Sequence, residues 1–130
     1  MSTSVSTTER ETRPLHVLCA DDNVILGEIM LCLLARAGHW VEQVEDGAKA
    51  WERLSSDIEA FDVLVTDHQM PGLTGLELVE RLRAAKFTGR IVVHSSGVTP
   101  EQAARYRALG AAQFVPKASN AEELLRAVVV

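Results

Sequence analysis

The chain alternates between short apolar runs and longer segments whose apolar residues recur every three or four positions. Apolar runs of about 4 to 8 residues are typical of buried strands, and the longer pattern is typical of helices. The runs predict five strands, at residues 15–20, 40–44, 63–66, 91–94 and 112–115. The second run is more polar than the others, so we expect it at an edge of the sheet.

A helix pattern follows each apolar run. The first covers residues 24–37 and ends at Gly38, a residue type that commonly stops helices. Its apolar residues at helical spacing are Ile25, Ile29, Cys32 and Leu33. The other four helices begin after residues that cap helix N-termini, three of which have Glu or Gln three positions later. These caps are Asp46, Thr74, Thr99 and Ser119.

Five strands that each lead into a helix predict an α/β fold with a doubly wound parallel sheet and five helices on its two faces. The strands are too apolar for either face of the sheet to be exposed to water. In sheets of this kind, ligands bind beyond the carboxyl ends of the strands. We therefore look for functional residues at those ends.

The composition is that of one globular domain: 130 residues, of which 47% are hydrophobic and 24% charged. A net charge of -5 without a cluster of Lys and Arg argues against a nucleic-acid surface. No apolar run reaches the roughly 18 residues of a membrane span, and the N-terminus lacks a signal-peptide pattern. We therefore expect a cytoplasmic protein that contacts no membrane.

The Ser- and Thr-rich residues 1–13 predict a disordered tail, which places the folded domain at residues 14–130. Cys19 and Cys32 do not have the spacing of metal ligands. We expect two reduced, half-buried thiols.

Residues with reactive side chains follow four of the five predicted strands. They are Asp21 and Asp22 after the first, Asp67 after the third, Ser95 after the fourth and Lys117 after the fifth. If the first and third strands are neighbours, three carboxylates share one pocket, and their repulsion favours a hard divalent cation such as Mg²⁺. A lysine and a hydroxyl beside that site fit a phosphoryl group, with one carboxylate as the nucleophile. The pattern indicates phosphorylation of an aspartate.

Each of these residues also has a simpler structural interpretation. Asp22 could cap the first helix, Asp67 could form a turn, Ser95 could belong to an ordinary loop, and Lys117 could be solvated. The compatible chemistry of four strand ends favours the functional interpretation.

From residue 15 to the C-terminus, the sequence resembles the receiver domain of two-component response regulators. The matching stretches are ADDN at 20–23, DHQMPGLTGLE at 67–77, VVHSSG at 92–97 and FVPK at 114–117. The D-x-x-M-P-x-x-x-G-x-E pattern after a buried strand is the most specific of them. The resemblance implies a flavodoxin-like sheet with strand order 2-1-3-4-5.

The resemblance also implies a role for each matching residue. Asp67 matches the phospho-acceptor, Ser95 and Lys117 the residues that contact the phosphoryl group, and Phe114 the aromatic residue whose rotamer follows Ser95. The Mg²⁺ ligands that it implies are Asp21, Asp22, Asp67 and the backbone carbonyl of Gln69. Phosphorylation would then change the surface formed by the fourth helix, fifth strand and fifth helix.

The sequence departs from the family pattern at several positions. Ala118 replaces a common proline after the lysine, Phe114 replaces the commoner tyrosine, and Gly97 leaves one side of the site uncovered. His68 and His94 flank the site, and we interpret them as a loop residue and a strand residue facing a helix. A metal or proton-shuttle role is the alternative for both.

The resemblance implies a signalling switch that phosphorylates and dephosphorylates its own aspartate and is not a conventional enzyme. Its partners would be a histidine kinase or histidine phosphotransfer protein and a downstream protein target. A homodimer through the fourth helix, fifth strand and fifth helix is possible, as is a role as relay or phosphate sink. The end of the chain after the last helix fits a single-domain regulator or a piece of a longer protein.

Two other classes of function compete with the switch. The first is an interaction module without phosphorylation, against which the complete Asp, Ser and Lys set argues. The second is a Mg²⁺-dependent phosphohydrolase, which usually needs a second acid beside the nucleophile, and His68 and Gln69 supply none.

Overall fold

The computed structural model describes residues 13–129, which form one five-stranded parallel sheet with helices on both faces. The strands are β1 (His16–Ala20), β2 (Trp40–Val44), β3 (Val63–Thr66), β4 (Arg90–Ser95) and β5 (Gln113–Pro116). The helices are α1 (Val24–Arg36), α2 (Gly47–Ser56), α3 (Gly75–Ala84), α4 (Pro100–Ala108) and α5 (Ala121–Val129). The predicted tail at residues 1–13 lies outside the described residues except for its last position.

The strand order is β2-β1-β3-β4-β5, which confirms the predicted topology and places the polar strand β2 at an edge. β1 pairs with β3 in parallel, with Ala20 opposite Thr66. The residues that follow these two strands therefore meet at the same edge of the sheet, as the site prediction requires.

The sheet separates two hydrophobic cores because successive side chains of a strand point to opposite faces. Leu18 and Leu64 face the core that also contains residues of α2, α3 and α4. Val17 and Val65 face the second core, to which α1 and α5 contribute. Both faces of the central strands are buried, in agreement with their continuous apolar sequence.

Three of the four predicted helix caps are confirmed. Asp46 accepts a hydrogen bond from the backbone N–H of Lys49 at 2.7 Å, and Thr74 and Thr99 each form a complete capping box. Gly38 and Gly110 follow α1 and α4 with φ of +96° and +78°, a backbone region that favours glycine.

The fourth predicted cap, Ser119, is wrong. The side chain of Asn120 accepts the hydrogen bond from the N–H of Glu123 at 3.0 Å, so Asn120 caps α5. Ser119 instead donates its hydroxyl to the carbonyl of Pro116 at 2.6 Å, which closes the turn after β5. The two residues are adjacent and both are good caps, so the sequence pattern alone was off by one position.

The interpretation of α1 also needs correction. Met30 and Leu34 pack into the core, whereas Ile25 and Ile29, on the predicted apolar stripe, are 72% and 50% exposed. Gly27 lies on the side of α1 that faces β2, since a Cβ there would lie 2.5 Å from Nε2 of Gln43.

Neither cysteine is half-buried as expected. Cys19 is fully buried in β1, and Cys32 is exposed on α1; both are free thiols. Within residues 13–129, no helix is both long and apolar enough to cross a lipid bilayer.

Candidate functional site

The carboxyl ends of β1 and β3 bring together the three predicted carboxylates. Asp21 and Asp67 are buried side by side, and the backbone N–H of Asp67 donates to the carbonyl of Ala20 at 2.9 Å. Asp22 is exposed next to them, and one oxygen of each carboxylate lies within 4.8 Å of the others. This acidic cluster could hold a metal ion.

Backbone hydrogen bonds fix one oxygen of each buried carboxylate. The N–H of Asn23 donates to Oδ1 of Asp21 at 2.8 Å, and the N–H of His68 donates to Oδ1 of Asp67 at 2.7 Å. Asn23 is also the cap of α1, since its side chain accepts from the N–H of Leu26. The alternative in which Asp22 merely caps α1 is therefore wrong.

Lys117 provides the positive charge that the cluster needs. Its Nζ lies 2.8 Å from Oδ2 of Asp67 and 3.2 Å from Oδ2 of Asp21. Burial lowers the pKa of Lys117, but the hydrogen bond to Asp67 and the charges of both carboxylates outweigh it, so this pKa lies above its usual value. The ammonium group therefore neutralises part of the charge of the two buried aspartates.

The chemistry of this donor set fits a hard cation. Oδ2 of Asp21 is buried and has no hydrogen bond of acceptable geometry among the described residues, although Lys117 is near it. An unsatisfied buried carboxylate oxygen beside two further carboxylates is the oxygen-rich environment that Mg²⁺ prefers.

The loop after β3 runs from the acidic cluster to the start of α3. Gln69 is exposed, and Gly72 adopts a φ of +83°, which turns the chain towards α3. The N–H of Gly75, the first residue of α3, donates to the carbonyl of His68 at 2.7 Å and closes this loop. The predicted metal contact of the Gln69 carbonyl stays a prediction.

Ser95 is the last residue of β4, and Phe114 is the second residue of the neighbouring strand β5. The hydroxyl of Ser95 is 3.3 Å from the N–H of Gly97, which donates to it. Phe114 is half-buried, with the ring of Tyr106 edge-on at 5.9 Å and the guanidinium of Arg107 5.2 Å from its centre. A cavity of about 140 Å³ is lined by residues that include Ser95, Phe114 and Pro116.

The two histidines beside the site are both buried. His94 is in β4; burial is the main reason that its pKa lies below the usual value, and its Nδ1 has no partner among residues 13–129. Nδ1 of His68 lies 2.7 Å from the hydroxyl of Tyr106, a fully buried residue of α4. The sequence analysis missed this pair, because no local pattern connects residues 38 positions apart.

The other two histidines also have partners that the sequence did not indicate. Nε2 of His16 is 2.7 Å from Oε2 of Glu42, and its Nδ1 is 2.8 Å from the carbonyl of Ala60. Nδ1 of His39 accepts from the N–H of Leu15 at 3.2 Å. These contacts connect the start of β1 to its neighbours and lie away from the acidic cluster.

The doubly wound α/β sheet with an acidic cluster and a lysine at its carboxyl edge agrees with the receiver-domain resemblance of the sequence. Residues 17–129 match the family model described as response regulator receiver domain. The chain belongs to this family, whose members act in signal transduction by two-component systems.

Individual proteins agree with this assignment. The gliding motility regulatory protein of Myxococcus xanthus is 33% identical over 113 residues, covering 85% of this chain but 14% of that protein. A chemotaxis protein CheY homolog of Campylobacter jejuni is 40% identical over 73 residues, which is 55% of each chain. This chain thus spans only part of the length of these relatives.

A solved structure shows the same fold. The chemotaxis protein CheY4 of Vibrio cholerae superimposes with a TM-score of 0.79 and 29% identity, covering 88% of this chain and 95% of that one.

Proposed function

We propose that this receiver domain is a phospho-acceptor switch in which Asp67 receives a phosphoryl group from a histidine kinase or a histidine phosphotransfer protein. The observation that carries the proposal is the position of Asp67. Its buried carboxylate is fixed at the end of a central strand, beside two other aspartates and 2.8 Å from Lys117. That arrangement combines a nucleophile with the charges that phosphoryl transfer requires.

Mg²⁺ is the cofactor that the site fits. Asp21, Asp22 and Asp67, with the backbone carbonyl of Gln69, would hold it. When bound, Mg²⁺ neutralises negative charge on the phosphoryl oxygens.

The proposed transfer is a substitution at phosphorus. One carboxylate oxygen of Asp67 forms a bond to the phosphorus atom as the bond from phosphorus to the donor imidazole breaks. The electron pair of that bond stays on the nitrogen, and the imidazole leaves neutral because its other nitrogen carries a proton. Lys117 pairs with the phosphoryl group, and Ser95 donates its hydroxyl to it. Because the domain acts on its own aspartate, it is not a conventional enzyme.

The proposed output is a movement of Ser95 and Phe114. As Ser95 turns towards the phosphoryl group, Phe114 turns inward into the cavity that both residues line. The surface of α4, β5 and α5 changes as a result, and this is where we place the downstream protein target. The same surface is the candidate for a homodimer.

The exposed apolar residues of α1 are candidates for contact with the phosphodonor protein. Val24, Ile25 and Ile29 are 45%, 72% and 50% exposed, and α1 begins two residues after Asp22. Exposed apolar side chains beside a site are typical of a protein-binding surface. We place this docking in the cytoplasm and assign it to the domain at residues 14–130.

Beryllofluoride, a stable mimic of the phosphoryl group on aspartate, tests the proposal. With Mg²⁺ present, it is expected to shift the amide resonances of Ser95, Phe114 and α4 in the intact chain. Asp67→Asn is expected to abolish this response, and Asp22→Asn to raise the Mg²⁺ concentration required. Glu45→Gln, at an exposed carboxylate outside the cluster, is the matched control and should respond normally. If Asp67→Asn responds as the wild type does, the proposal is wrong.

A further inference from the structure

His68 connects the proposed phospho-acceptor to two helices. Its N–H donates to Oδ1 of Asp67, and its carbonyl accepts from Gly75, the first residue of α3, both at 2.7 Å. Its Nδ1 lies 2.7 Å from the hydroxyl of Tyr106 in α4. The residue is 5% exposed, so water does not replace these contacts easily.

Tyr106 occupies a space that is shaped to receive it. The residue is fully buried, and a Cβ at position 75 would lie 2.7 Å from its hydroxyl oxygen, so glycine leaves room there. A buried hydroxyl without a partner is costly, and the imidazole of His68 satisfies it. Burial raises the pKa of Tyr106, so the hydroxyl keeps its proton.

Tyr106 in turn contacts the proposed switch residue. Its ring lies edge-on to Phe114, with centroids 5.9 Å apart and an interplanar angle of 81°. This is a favourable geometry for two aromatic rings. A second path therefore runs from Asp67 through His68 and Tyr106 to Phe114, and it does not include Ser95.

We infer that His68 and Tyr106 are a positioning pair whose hydrogen bond holds Phe114 in its present half-buried position, edge-on to Tyr106, and stabilises the unphosphorylated state. The inference rests on the proposed function, since it assumes that Asp67 is the acceptor.

The contacts of Asp67 indicate which state the pair favours. Oδ1 accepts from the N–H of His68, and Oδ2 contacts Lys117, so both oxygens of a free carboxylate are in use. We place the phosphoryl group on Oδ1, where it removes the hydrogen bond from the N–H of His68 and moves this residue relative to Tyr106. A bond made in the free-carboxylate state and weakened in the phosphorylated state shifts the equilibrium towards the former.

Three variants test the pair: Tyr106→Phe, His68→Leu and the double variant. Each is expected to lower the apparent dissociation constant for beryllofluoride, at saturating Mg²⁺, by roughly five-fold, because a net hydrogen bond of about 1 kcal/mol no longer favours the resting state. The double variant should show the same reduction as each single one, because both remove the same bond.

Protein stability separates this effect from general damage. Each single variant leaves one buried polar group unsatisfied and is expected to unfold at a lower urea concentration than the wild type. The double variant replaces both partners by apolar groups and should recover part of this loss while keeping the tighter beryllofluoride binding. Leu54→Val, in the core of α2, is the control: it should lower stability without changing the dissociation constant.

The inference is overturned if the wild type binds beryllofluoride and all three variants bind it within about two-fold of the wild-type constant, less than a net hydrogen bond predicts. Effects of the two single variants that multiply in the double variant would overturn it as well. Failure of the wild type to bind beryllofluoride would overturn the proposed function together with this inference.

Discussion

At the scale of single residues, the site depends on a lysine between two buried carboxylates. Asp21 and Asp67 are almost fully inaccessible to water, and Lys117 lies within 3.2 Å of an oxygen of each. Buried charges of one sign are unfavourable unless they are paired or bound to a cation. The lysine therefore stabilises the metal-free fold as well as serving the proposed phosphoryl transfer.

Replacement of this lysine by methionine should expose that role. Lys117→Met is expected to lower the free energy of unfolding without Mg²⁺ by about 1–3 kcal/mol, because two buried carboxylates lose their charged partner. Added Mg²⁺ should restore part of the loss. Urea unfolding with and without Mg²⁺ measures both effects.

Lys49→Met is the matched control, since Lys49 pairs with Glu45 on the surface. Exposed ion pairs contribute about 0–1 kcal/mol, so this variant should stay close to the wild type. Equal losses in the two variants would contradict the role given to Lys117.

The positions of the site residues could be predicted from the sequence, but their connections could not. At or just after the ends of the first, third, fourth and fifth strands lie Asp21, Asp67, Ser95 and Lys117. Parallel strands bring these ends to one edge of the sheet. The contact of His68 with Tyr106 depends instead on how α4 packs against the sheet. Packing of that kind leaves no local signal, so no pattern in the sequence connects the two residues.

At the scale of elements, α1 shows the limit of periodicity. The helix is apolar around most of its circumference, and stripes containing Ile29 or Met30 both have helical spacing. The contact of Met30 and Leu34 with the second core determines which stripe is buried. This contact is tertiary, so the sequence pattern could not reveal it, whereas the capping boxes of α3 and α4 are local and were predicted correctly.

The exposed stripe of α1 leads to a prediction about the phosphodonor. The double variant Ile25→Ser and Ile29→Ser should slow phosphotransfer from a histidine kinase or phosphotransfer protein at least about ten-fold, since two apolar contacts of about 1 kcal/mol each are lost. Phosphorylation by a small phosphodonor should stay unchanged, because the site itself is intact. Transfer of radiolabelled phosphate measures both rates.

Met30→Ala, on the buried stripe of the same helix, is the opposite control. It should lower the free energy of unfolding by about 2–5 kcal/mol, while the double serine variant keeps the wild-type stability. Equal slowing with protein and small phosphodonors would mean that the exposed stripe is no docking surface.

At the scale of the whole molecule, one sheet serves two hydrophobic cores and carries the site at its carboxyl edge. Cys19 of β1 is in the second core, two residues before Asp21. Burial, together with the negative charge of Asp21, raises the pKa of this thiol to about 12.

This shift predicts a loss of stability at alkaline pH. Because the pKa of Cys19 is higher in the folded state, its contribution is complete below the usual thiol pKa of about 8.5 and is lost as the pH rises towards 12. Between these values, the free energy of unfolding should fall by up to about 1.4 kcal/mol per pH unit more in the wild type than in Cys19→Ala. Urea unfolding at a series of pH values from neutral upwards measures the two slopes, and parallel slopes would contradict the prediction.

The central claim is that Asp67 is the phospho-acceptor, and mass spectrometry after incubation with Mg²⁺ and a small phosphodonor tests it most directly. The predicted result is one phosphoryl group per chain, labile in base, located by reductive trapping at Asp67 and missing in Asp67→Asn. Removal of Mg²⁺ by a chelator should prevent the reaction. A phosphoryl group at another residue, or an unmodified wild-type chain under conditions that phosphorylate another receiver domain, would contradict the claim.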